Sequence, residues 1–119
     1  MPFAPSILSE YGDKYFKNFI SSPFMILTFD VKSHKKKYLQ AATHIDDTAR
    51  PHTVVKKDNP LYYQLLKEFH RLTGVPAVLN TSFNRHGLPI VNSPRDAIEH
   101  LLWHCTDEVA IGNYLVTKK

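Results

Sequence analysis

Residues 43–50, Thr-His-Ile-Asp-Asp-Thr-Ala-Arg, contain the side-chain types needed to bind an anion and to move a proton. The Arg50 guanidinium could hold a phosphate or carboxylate group through paired N–H donors. Thr48 could add a hydroxyl group, and His44 could supply a proton or a hydrogen-bond donor. The alternative is a polar surface turn in which Asp46 pairs with Arg50 and no ligand binds. The sequence leaves both interpretations open.

Residues 80–87 form a second polar segment, directly after the apolar residues 77–79. We predict a buried strand at 77–79, and α/β sheets place ligands in loops at the carboxyl ends of their strands. Asparagine offers both a donor and an acceptor, which suits an amide or carbamoyl group, and hydroxyl and backbone N–H groups could cradle a phosphate. The alternative is that the asparagine and serine side chains satisfy the loop's own backbone. The candidate ligand-binding residues here are Asn80, Thr81, Ser82 and Asn84.

His100 and His104 are four residues apart, a spacing that allows two imidazole rings on a helix to share a metal ion. We expect the opposite face of this helix to be buried and both histidines therefore to be exposed. No carboxylate or cysteine stands at metal-ligand spacing beside them, so we predict no metal site here. The residues expected on the buried face, with the cysteine as inert core, are Ile98, Leu101, Leu102 and Cys105.

The elements that must position these segments follow from apolar periodicity and from proline and glycine punctuation. We predict helices over residues 9–19, from a cap at Asp58 or Asn59 to Gly74, and onward from a Ser93 N-cap. Predicted strands lie at 24–31, 53–55, 77–79, 108–111 and 114–116, with extended segments at 2–8 and 89–91 and a basic loop at 33–38. Strands interleaved with three helices predict an α/β fold, with α+β as the alternative.

The chain has 119 residues, a length that fits one domain. Its single cysteine excludes an internal disulfide and fits a reducing compartment. No apolar run approaches the roughly 18 residues of a membrane span, and the N-terminus lacks the features of a signal peptide, so we expect a cytoplasmic protein. The net charge of +4 suits an anionic ligand, nucleic acid or no particular partner.

In this order, the segments of the chain resemble the C-terminal domain of the O-carbamoyltransferase family, whose members modify nodulation factors and antibiotics. The resemblance covers nearly the whole chain, and the collinear series is what makes it specific. The matching segments are Pro-Phe-Ala-Pro-Ser (2–6), Ser-Pro-Phe-Met (22–25), Thr-His-Ile-Asp-Asp-Thr-Ala-Arg (43–50), Asn-Pro-Leu-Tyr (59–62), Thr-Gly-Val-Pro (73–76), Leu-Asn-Thr-Ser-Phe-Asn (79–84), Gly-Leu-Pro-Ile-Val (87–91), Ser-Pro-Arg-Asp-Ala (93–97) and Ile-Gly-Asn-Tyr (111–114).

The resemblance implies a YrdC-like mixed sheet, with residues 1–119 forming a single C-terminal domain or a fragment of one. This domain would bind carbamoyl phosphate and ATP, and would form carbamoyl-adenylate ahead of carbamoyl transfer to a hydroxyl acceptor. An N-terminal actin-like domain would be its partner and would hold the metal ion. Because the Gly-Pro-Arg-Ala-Leu-Gly stretch that the family has upstream is not in this sequence, we expect the isolated chain to be inactive or incomplete.

The resemblance also implies roles for the candidate residues. Arg50 would clamp phosphate, with support from His44 and Thr48. The residues that would contact the nucleotide or the carbamoyl group are Asn80, Thr81, Ser82 and Asn84.

Two positions depart from the family pattern. Asp47 stands where glycine is common, and it adds negative charge near the proposed anion site. Arg85 and His86 stand where an arginine often occupies the second place, so either side chain could face the ligand.

Two alternatives to a carbamoyltransferase remain open. YrdC-like folds resemble RNA-binding proteins with a basic concave face, so this basic chain could be a nucleic-acid-binding module whose affinity falls steeply with salt. It could also be a non-catalytic fragment that packs against a partner, because unpaired strand edges or bare apolar surface would lead it to self-associate.

Overall fold

The computed structural model describes residues 3–118 and has the mixed α/β content predicted from the sequence. Pro2, the first residue of the segment predicted to be extended, lies outside the described residues, as do Met1 and Lys119. The chain divides into two units, the first ending at Thr81 and the second beginning at Ser82. None of the helices within residues 3–118 is long and apolar enough to cross a membrane. In chain order, the elements are β1 (Ala4–Leu8), α1 (Gly12–Tyr15), β2 (Phe29–Asp30), β3 (Thr48–Ala49), β4 (His52–Val54), α2 (Pro60–Thr73), β5 (Ala77–Asn80), α3 (Pro94–Leu102), β6 (Glu108–Ile111) and β7 (Tyr114–Thr117).

The main sheet of the first unit has the strand order β4–β1–β5, so β1 is central. Strand β1 runs parallel to β4, with Ser6 opposite His52, and antiparallel to β5, with Ala4 opposite Asn80. All five residues of β1 are buried, which is typical of a strand covered on both faces. This register brings the beginning of β4 and the end of β5 to the same stretch of β1.

Helix α2 begins and ends where its local signals predict. The Asn59 side chain accepts a hydrogen bond from the Tyr62 N–H group at 3.1 Å, and Pro60 occupies the first turn. Gly74 follows the helix in the left-handed conformation, with φ of 75°, which is a common way for a helix to end. Both ends of this helix are therefore set by residues within or next to it.

Leu66 attaches α2 to the main sheet. Its side chain is fully buried and packs against Leu8 of β1 and Val54 of β4. Full burial of a leucine side chain stabilises a fold by about 1.5–3 kcal/mol. The helix thereby fixes the strand that begins at His52.

The prediction of a strand over residues 24–31 is wrong except at Phe29–Asp30. Only the two residues of β2 form a strand, and they pair with β3. Phe24 and Ile26 are 77% and 76% exposed, and Met25 has a left-handed φ of 54° that interrupts the extended backbone. Both edges of β1 already pair with β4 and β5, so this apolar run finds no place beside the central strand.

The helix predicted over residues 9–19 ends at Tyr15, after one 3₁₀ turn and the four residues of α1. Phe16 is extended instead and forms an isolated bridge with Val31. Its ring is buried, and its centroid lies 6.1 Å from that of Phe29. Burial of this ring in the core overrides the local helical periodicity.

In the second unit, α3 contacts the β6–β7 hairpin. The predicted Ser93 cap is confirmed: Ser93 Oγ accepts from the Asp96 N–H at 3.2 Å, and the Asp96 carboxylate accepts from the Ser93 N–H at 3.1 Å. The predicted hairpin is also confirmed, and Gly112 provides the left-handed φ of 56° that its turn requires. The buried core of this unit consists of Ala97, Leu101 and Val109.

The predicted buried face of α3 is partly wrong. His100, expected to be exposed, is only 4% exposed, whereas Leu102 is 62% exposed and Cys105 is exposed. Helix α3 ends at Leu102, so Cys105 lies beyond it. The buried positions of the helix are 97, 100 and 101, which is the i, i+3, i+4 spacing of one helical face.

The remaining differences concern the ends of elements. Strand β4 lies one residue earlier than predicted, and β5 and β7 each extend one residue further. Residues 89–91, predicted to be extended, belong to no strand. Differences of one residue are within the usual uncertainty of element boundaries.

Candidate functional site

Residues 43–50 form a turn that is held by its own side chains. The His44 N–H donates to the Thr48 carbonyl oxygen at 2.7 Å, and the Thr48 hydroxyl donates to Asp46 Oδ1 at 2.7 Å. Because the hydroxyl hydrogen is used in this way, the Thr48 oxygen accepts from His44 Nδ1 at 3.0 Å. The structure therefore brings His44 and Thr48 into direct contact, with a proton on His44 Nδ1.

Asp46 is bound to Thr48 and not to Arg50. The Thr48 hydroxyl and backbone N–H both donate to Asp46 Oδ1, and they lower the pKa of this carboxyl group below its ordinary value. The alternative prediction from the sequence, in which Asp46 pairs with Arg50, is therefore wrong about the partner of Asp46. A carboxylate held by two local donors does not need the guanidinium.

Asp47 has a left-handed backbone, with φ of 67°. Glycine adopts this conformation without strain, which accounts for the glycine expected at this position from the family resemblance. The Asp47 carboxylate forms an ion pair with Lys36 Nζ. The negative charge that it adds to this segment is thus partly neutralised.

Arg50 lies between β3 and β4 and is half-buried. It precedes His52, the first residue of β4, by two positions. Among residues 3–118, Arg50 takes part in no ion pair. Its guanidinium is therefore available to an anionic ligand at this end of the strand.

Ser6, His52 and Asn80 form a hydrogen-bonded cluster across the main sheet. Asn80 Nδ2 donates to Ser6 Oγ at 3.0 Å, and Ser6 Oγ lies 3.1 Å from His52 Nδ1. Asn80 Nδ2 also lies 3.4 Å from His52 Nδ1. The structure thus places Asn80 beside the first residue of β4, a strand that Arg50 precedes by two positions.

The sequence analysis missed Ser6 and His52 as candidate residues. They are 46 positions apart, and Asn80 is 74 positions from Ser6. Their contact depends on β1 pairing with β4 on one side and β5 on the other, which no local pattern reveals. A signal in the sequence could have found them. Ser6 belongs to the family-like segment 2–6, and His52 follows the candidate residue Arg50 by two positions.

The His52 ring borders a groove with a volume of about 360 Å³. Burial lowers the pKa of His52 below its ordinary value of 6.5, so the neutral imidazole predominates near pH 7. The ring also stacks on Tyr62, with centroids 5.9 Å apart and planes inclined by 21°. Other residues that line the groove are Pro23, Phe24, Val55, Asp58 and Asn59.

Acidification is expected to destabilise the fold through His52. Its folded-state pKa is lowered, so the unfolded chain binds more protons as the pH falls toward 6.5. The contribution of neutral His52 is therefore fully present above that pH and is lost as the pH falls through the folded-state pKa. We expect His52→Gln to reduce the loss of unfolding free energy on acidification, measured by urea denaturation at a series of pH values.

The exposed His86 provides the control for this measurement. His86→Gln should retain the wild-type dependence of stability on pH, because its imidazole is open to solvent. Identical pH profiles for wild type and His52→Gln would show that burial of His52 does not act in this way.

In the second unit, Ser82 and Asn84 hold their own loop. Asn84 Nδ2 donates to the carbonyl oxygens of Arg85 at 3.2 Å and Leu88 at 2.9 Å. The Ser82 hydroxyl donates to Asn84 Oδ1. These are the contacts expected if asparagine and serine satisfy the loop backbone, and the roles of Ser82 and Asn84 in ligand binding stay predictions.

His100 joins this loop to α3. The Arg85 N–H donates to His100 Nε2 at 2.9 Å, so the ring proton is on Nδ1, which donates to the Asp96 carbonyl oxygen at 2.8 Å. The prediction that His100 is exposed is wrong because both ring nitrogens serve as structural links. Within residues 3–118, no three His, Cys, Asp or Glu side chains are grouped to hold a metal ion.

The other candidate residues are divided between the two units. The Arg85 guanidinium lies 5.9 Å from the centroid of the Trp103 ring, whereas Thr81 and His86 are exposed. Asn80 and Thr81 belong to the first unit with His44, Thr48 and Arg50, and the second unit contains Ser82, Asn84, Arg85 and His86.

The lysine run at 35–37 lies in a 3₁₀ helix, Ser33–Tyr38, and not in the loop predicted. Lys35 and Lys37 place their ammonium groups 5.4 Å and 5.0 Å from the centroid of the Tyr38 ring, within the range of a cation–π interaction. All three lysines of the run therefore have partners within the first unit, since Lys36 pairs with Asp47.

Comparison with known proteins identifies the family. The family model described as carbamoyltransferase C-terminus matches residues 1–118. An uncharacterized protein of Methanocaldococcus jannaschii is 44% identical over 118 residues, which are 99% of this chain and 23% of that protein. Nodulation protein NolNO of Sinorhizobium fredii is 40% identical over 121 residues, covering 99% of this chain and 18% of that protein. The 3'-hydroxymethylcephem-O-carbamoyltransferase of Streptomyces clavuligerus is 29% identical over 112 residues, which are 94% of this chain and 21% of that protein.

The chain spans about a fifth of the length of these relatives. The match of the family model to residues 1–118 has the extent that the collinear motifs predict. This chain belongs to the carbamoyltransferase C-terminus family.

Proposed function

We propose that this chain is the C-terminal part of an O-carbamoyltransferase and that its first unit binds carbamoyl phosphate. Arg50 would hold the phosphate group and Asn80 the carbamoyl group. ATP would bind in the same region for carbamoyl-adenylate formation, ahead of carbamoyl transfer to a hydroxyl acceptor. The observation that supports ligand binding best is the contact of Asn80 with Ser6 and His52, at 3.0 Å and 3.4 Å.

The two ends of carbamoyl phosphate differ in chemistry, and the two candidate segments match that difference. A phosphate dianion suits the planar N–H donors of Arg50, and a small amide suits another amide, that of Asn80. The acidic side chains nearest to Arg50 in the sequence have other partners, because Asp46 binds Thr48 and Asp47 binds Lys36. The positive charge of Arg50 can therefore attract an anion.

The proposal is tested by titrating the isotopically labelled 119-residue chain with carbamoyl phosphate and recording ¹H–¹⁵N correlation spectra. We expect the amide signals of Arg50, His52 and Asn80 to shift, while those of the β6–β7 hairpin stay in place. ATP should move signals in the same region. Inorganic phosphate is the control ligand, and it should shift the amide signal of Arg50 without shifting that of Asn80.

Unchanged spectra at every carbamoyl phosphate concentration would contradict the proposal. Shifts confined to residues other than the three named would contradict it as well. The measurement concerns binding by this chain and does not require turnover.

Leu61 and Leu72, on α2, supply a specific observation in favour of a partner surface. They are 85% and 72% exposed on the helix, and exposed apolar side chains in one region are typical of interaction surfaces. We propose that this helix meets the N-terminal actin-like domain of a full-length enzyme, with self-association as the alternative. The contacts of the lysine run within the first unit add no support to nucleic-acid binding.

A further inference from the structure

The surroundings of Asn80 determine which end of its amide points into the protein. The Asn80 Nδ2 atom lies 3.0 Å from Ser6 Oγ, 3.4 Å from His52 Nδ1 and 3.7 Å from Met25 Sδ. A thioether sulfur can only accept a hydrogen bond, so Met25 requires the NH₂ group of Asn80 on this side. The carbonyl oxygen Oδ1 is then the opposite end of the amide.

The protons of the cluster agree with this orientation. Ser6 is completely buried, and its oxygen accepts from Asn80 Nδ2 and lies 3.1 Å from His52 Nδ1. The NH₂ group of Asn80 can only donate and lies 3.4 Å from the same Nδ1 atom, so this orientation of the amide goes with an unprotonated Nδ1 that accepts from Asn80 and from the Ser6 hydroxyl. Burial lowers the pKa of His52 and so favours the neutral ring that has such a lone pair.

The buried position of Ser6 also excludes another role for the cluster. Serine and histidine at hydrogen-bond distance are typical of a nucleophile and its base. A nucleophile must reach its substrate, however, and Ser6 has no exposed surface. Ser6 and His52 therefore act on Asn80 and not directly on a substrate carbonyl carbon.

We infer that Asn80 presents only its Oδ1 acceptor to the ligand and selects carbamoyl phosphate by accepting a hydrogen bond from its NH₂ group. Among residues 3–118, Oδ1 has no hydrogen-bond partner. Ser6 and His52 are positioning residues, because they hold the NH₂ end of Asn80 inward. This inference rests on the proposed function and specifies which atoms of the carbamoyl group are recognised.

Acetyl phosphate is the ligand that separates this inference from simple phosphate binding. It has the charge and size of carbamoyl phosphate, but a methyl group replaces the amino group and cannot donate to Oδ1. A site built to bond a polar group rejects an analogue that lacks it, because the protein atom is left unpaired. We expect the 119-residue chain to bind carbamoyl phosphate about 10- to 100-fold more tightly than acetyl phosphate.

Two variants test the roles of the residues. Asn80→Leu should bind both phosphates with similar affinity, because its side chain keeps the size but loses the acceptor. Ser6→Ala should reduce the preference for carbamoyl phosphate while leaving the affinity for inorganic phosphate unchanged. Gln64→Leu removes an exposed amide from α2 and is the matched control, expected to keep the wild-type preference.

The orientation of the Asn80 amide is measured independently of any ligand. Nuclear Overhauser effects between the Asn80 side-chain NH₂ protons and the Met25 methyl group are expected in the wild-type chain. Their absence would overturn the inference even if a variant failed to fold.

The outcomes distinguish this inference from the proposed function. Equal affinity of the wild-type chain for carbamoyl and acetyl phosphate, with binding still dependent on Arg50, would overturn the selection by Asn80 and leave the proposed function standing. Failure of both phosphates to bind would overturn the proposed function and the inference together.

Discussion

Replacing Arg50 by alanine is expected to weaken carbamoyl phosphate binding by about 10- to 100-fold. A hydrogen bond to a charged group contributes about 1.5–3 kcal/mol, and a guanidinium forms two such bonds to one phosphate group. Arg50→Lys should lie between wild type and alanine, because an ammonium group keeps the charge and loses the paired geometry. Isothermal titration calorimetry on the 119-residue chain gives the three affinities.

Arg71 provides the matched control for Arg50. It is in the same unit, its side chain is 69% exposed, and it pairs with Glu68 on the surface of α2. Arg71→Ala should bind carbamoyl phosphate with wild-type affinity. Equal weakening by the two substitutions would show that net charge alone attracts the ligand, and an unchanged affinity in Arg50→Ala would remove Arg50 from the site.

Replacing Leu66 by alanine is expected to lower the free energy of unfolding of the first unit by about 2–5 kcal/mol. Leu66 is completely buried and packs against Leu8 and Val54, so the shorter side chain leaves a cavity between α2 and the main sheet. Urea denaturation followed by circular dichroism measures this loss. Since Val54 is in the strand that begins at His52, we also expect the ligand affinity to fall.

Leu61 is the matched control for Leu66, on the same helix and 85% exposed. Leu61→Ala should change the free energy of unfolding by no more than about 0.5 kcal/mol. A similar loss in both variants would indicate that α2 does not pack on the sheet through Leu66.

The elements that the sequence predicted well are those specified by adjacent residues. Helix α2 is bounded by an Asn59 cap and a left-handed Gly74, and α3 begins at a Ser93 cap. These signals act within a few residues of the chain, because each one satisfies the free backbone groups of a helix end. Long-range packing does not enter, so the pattern and the structure agree.

The elements that were predicted wrongly depend on distant partners. The apolar run that begins at Phe24 has the composition of a buried strand, but the central strand already has a neighbour on each side. Phe16 leaves its helical pattern because its ring is buried in the core. His100 is buried because a loop N–H from Arg85 needs an acceptor, a demand that no helical period reveals.

In the candidate site too, residues recognisable from local sequence were predicted, and residues that depend on distant partners were missed. Arg50 was selected from the residue types concentrated in its segment, and Asn80 from its residue type and from the strand that precedes it. Ser6 and His52 were missed because they meet Asn80 only through pairing across β1. The structure therefore adds the residues that contact the Asn80 side chain, which local sequence cannot specify.

A crystal structure of the 119-residue chain with phosphonoacetamide would test the central claim most directly. This compound keeps the phosphorus group and the amide of carbamoyl phosphate, and a methylene group replaces the labile bridging oxygen. We expect its phosphonate oxygens within hydrogen-bond distance of the Arg50 guanidinium and its amide nitrogen within hydrogen-bond distance of Asn80 Oδ1. A ligand bound away from both residues would contradict the claim that these two segments form one site.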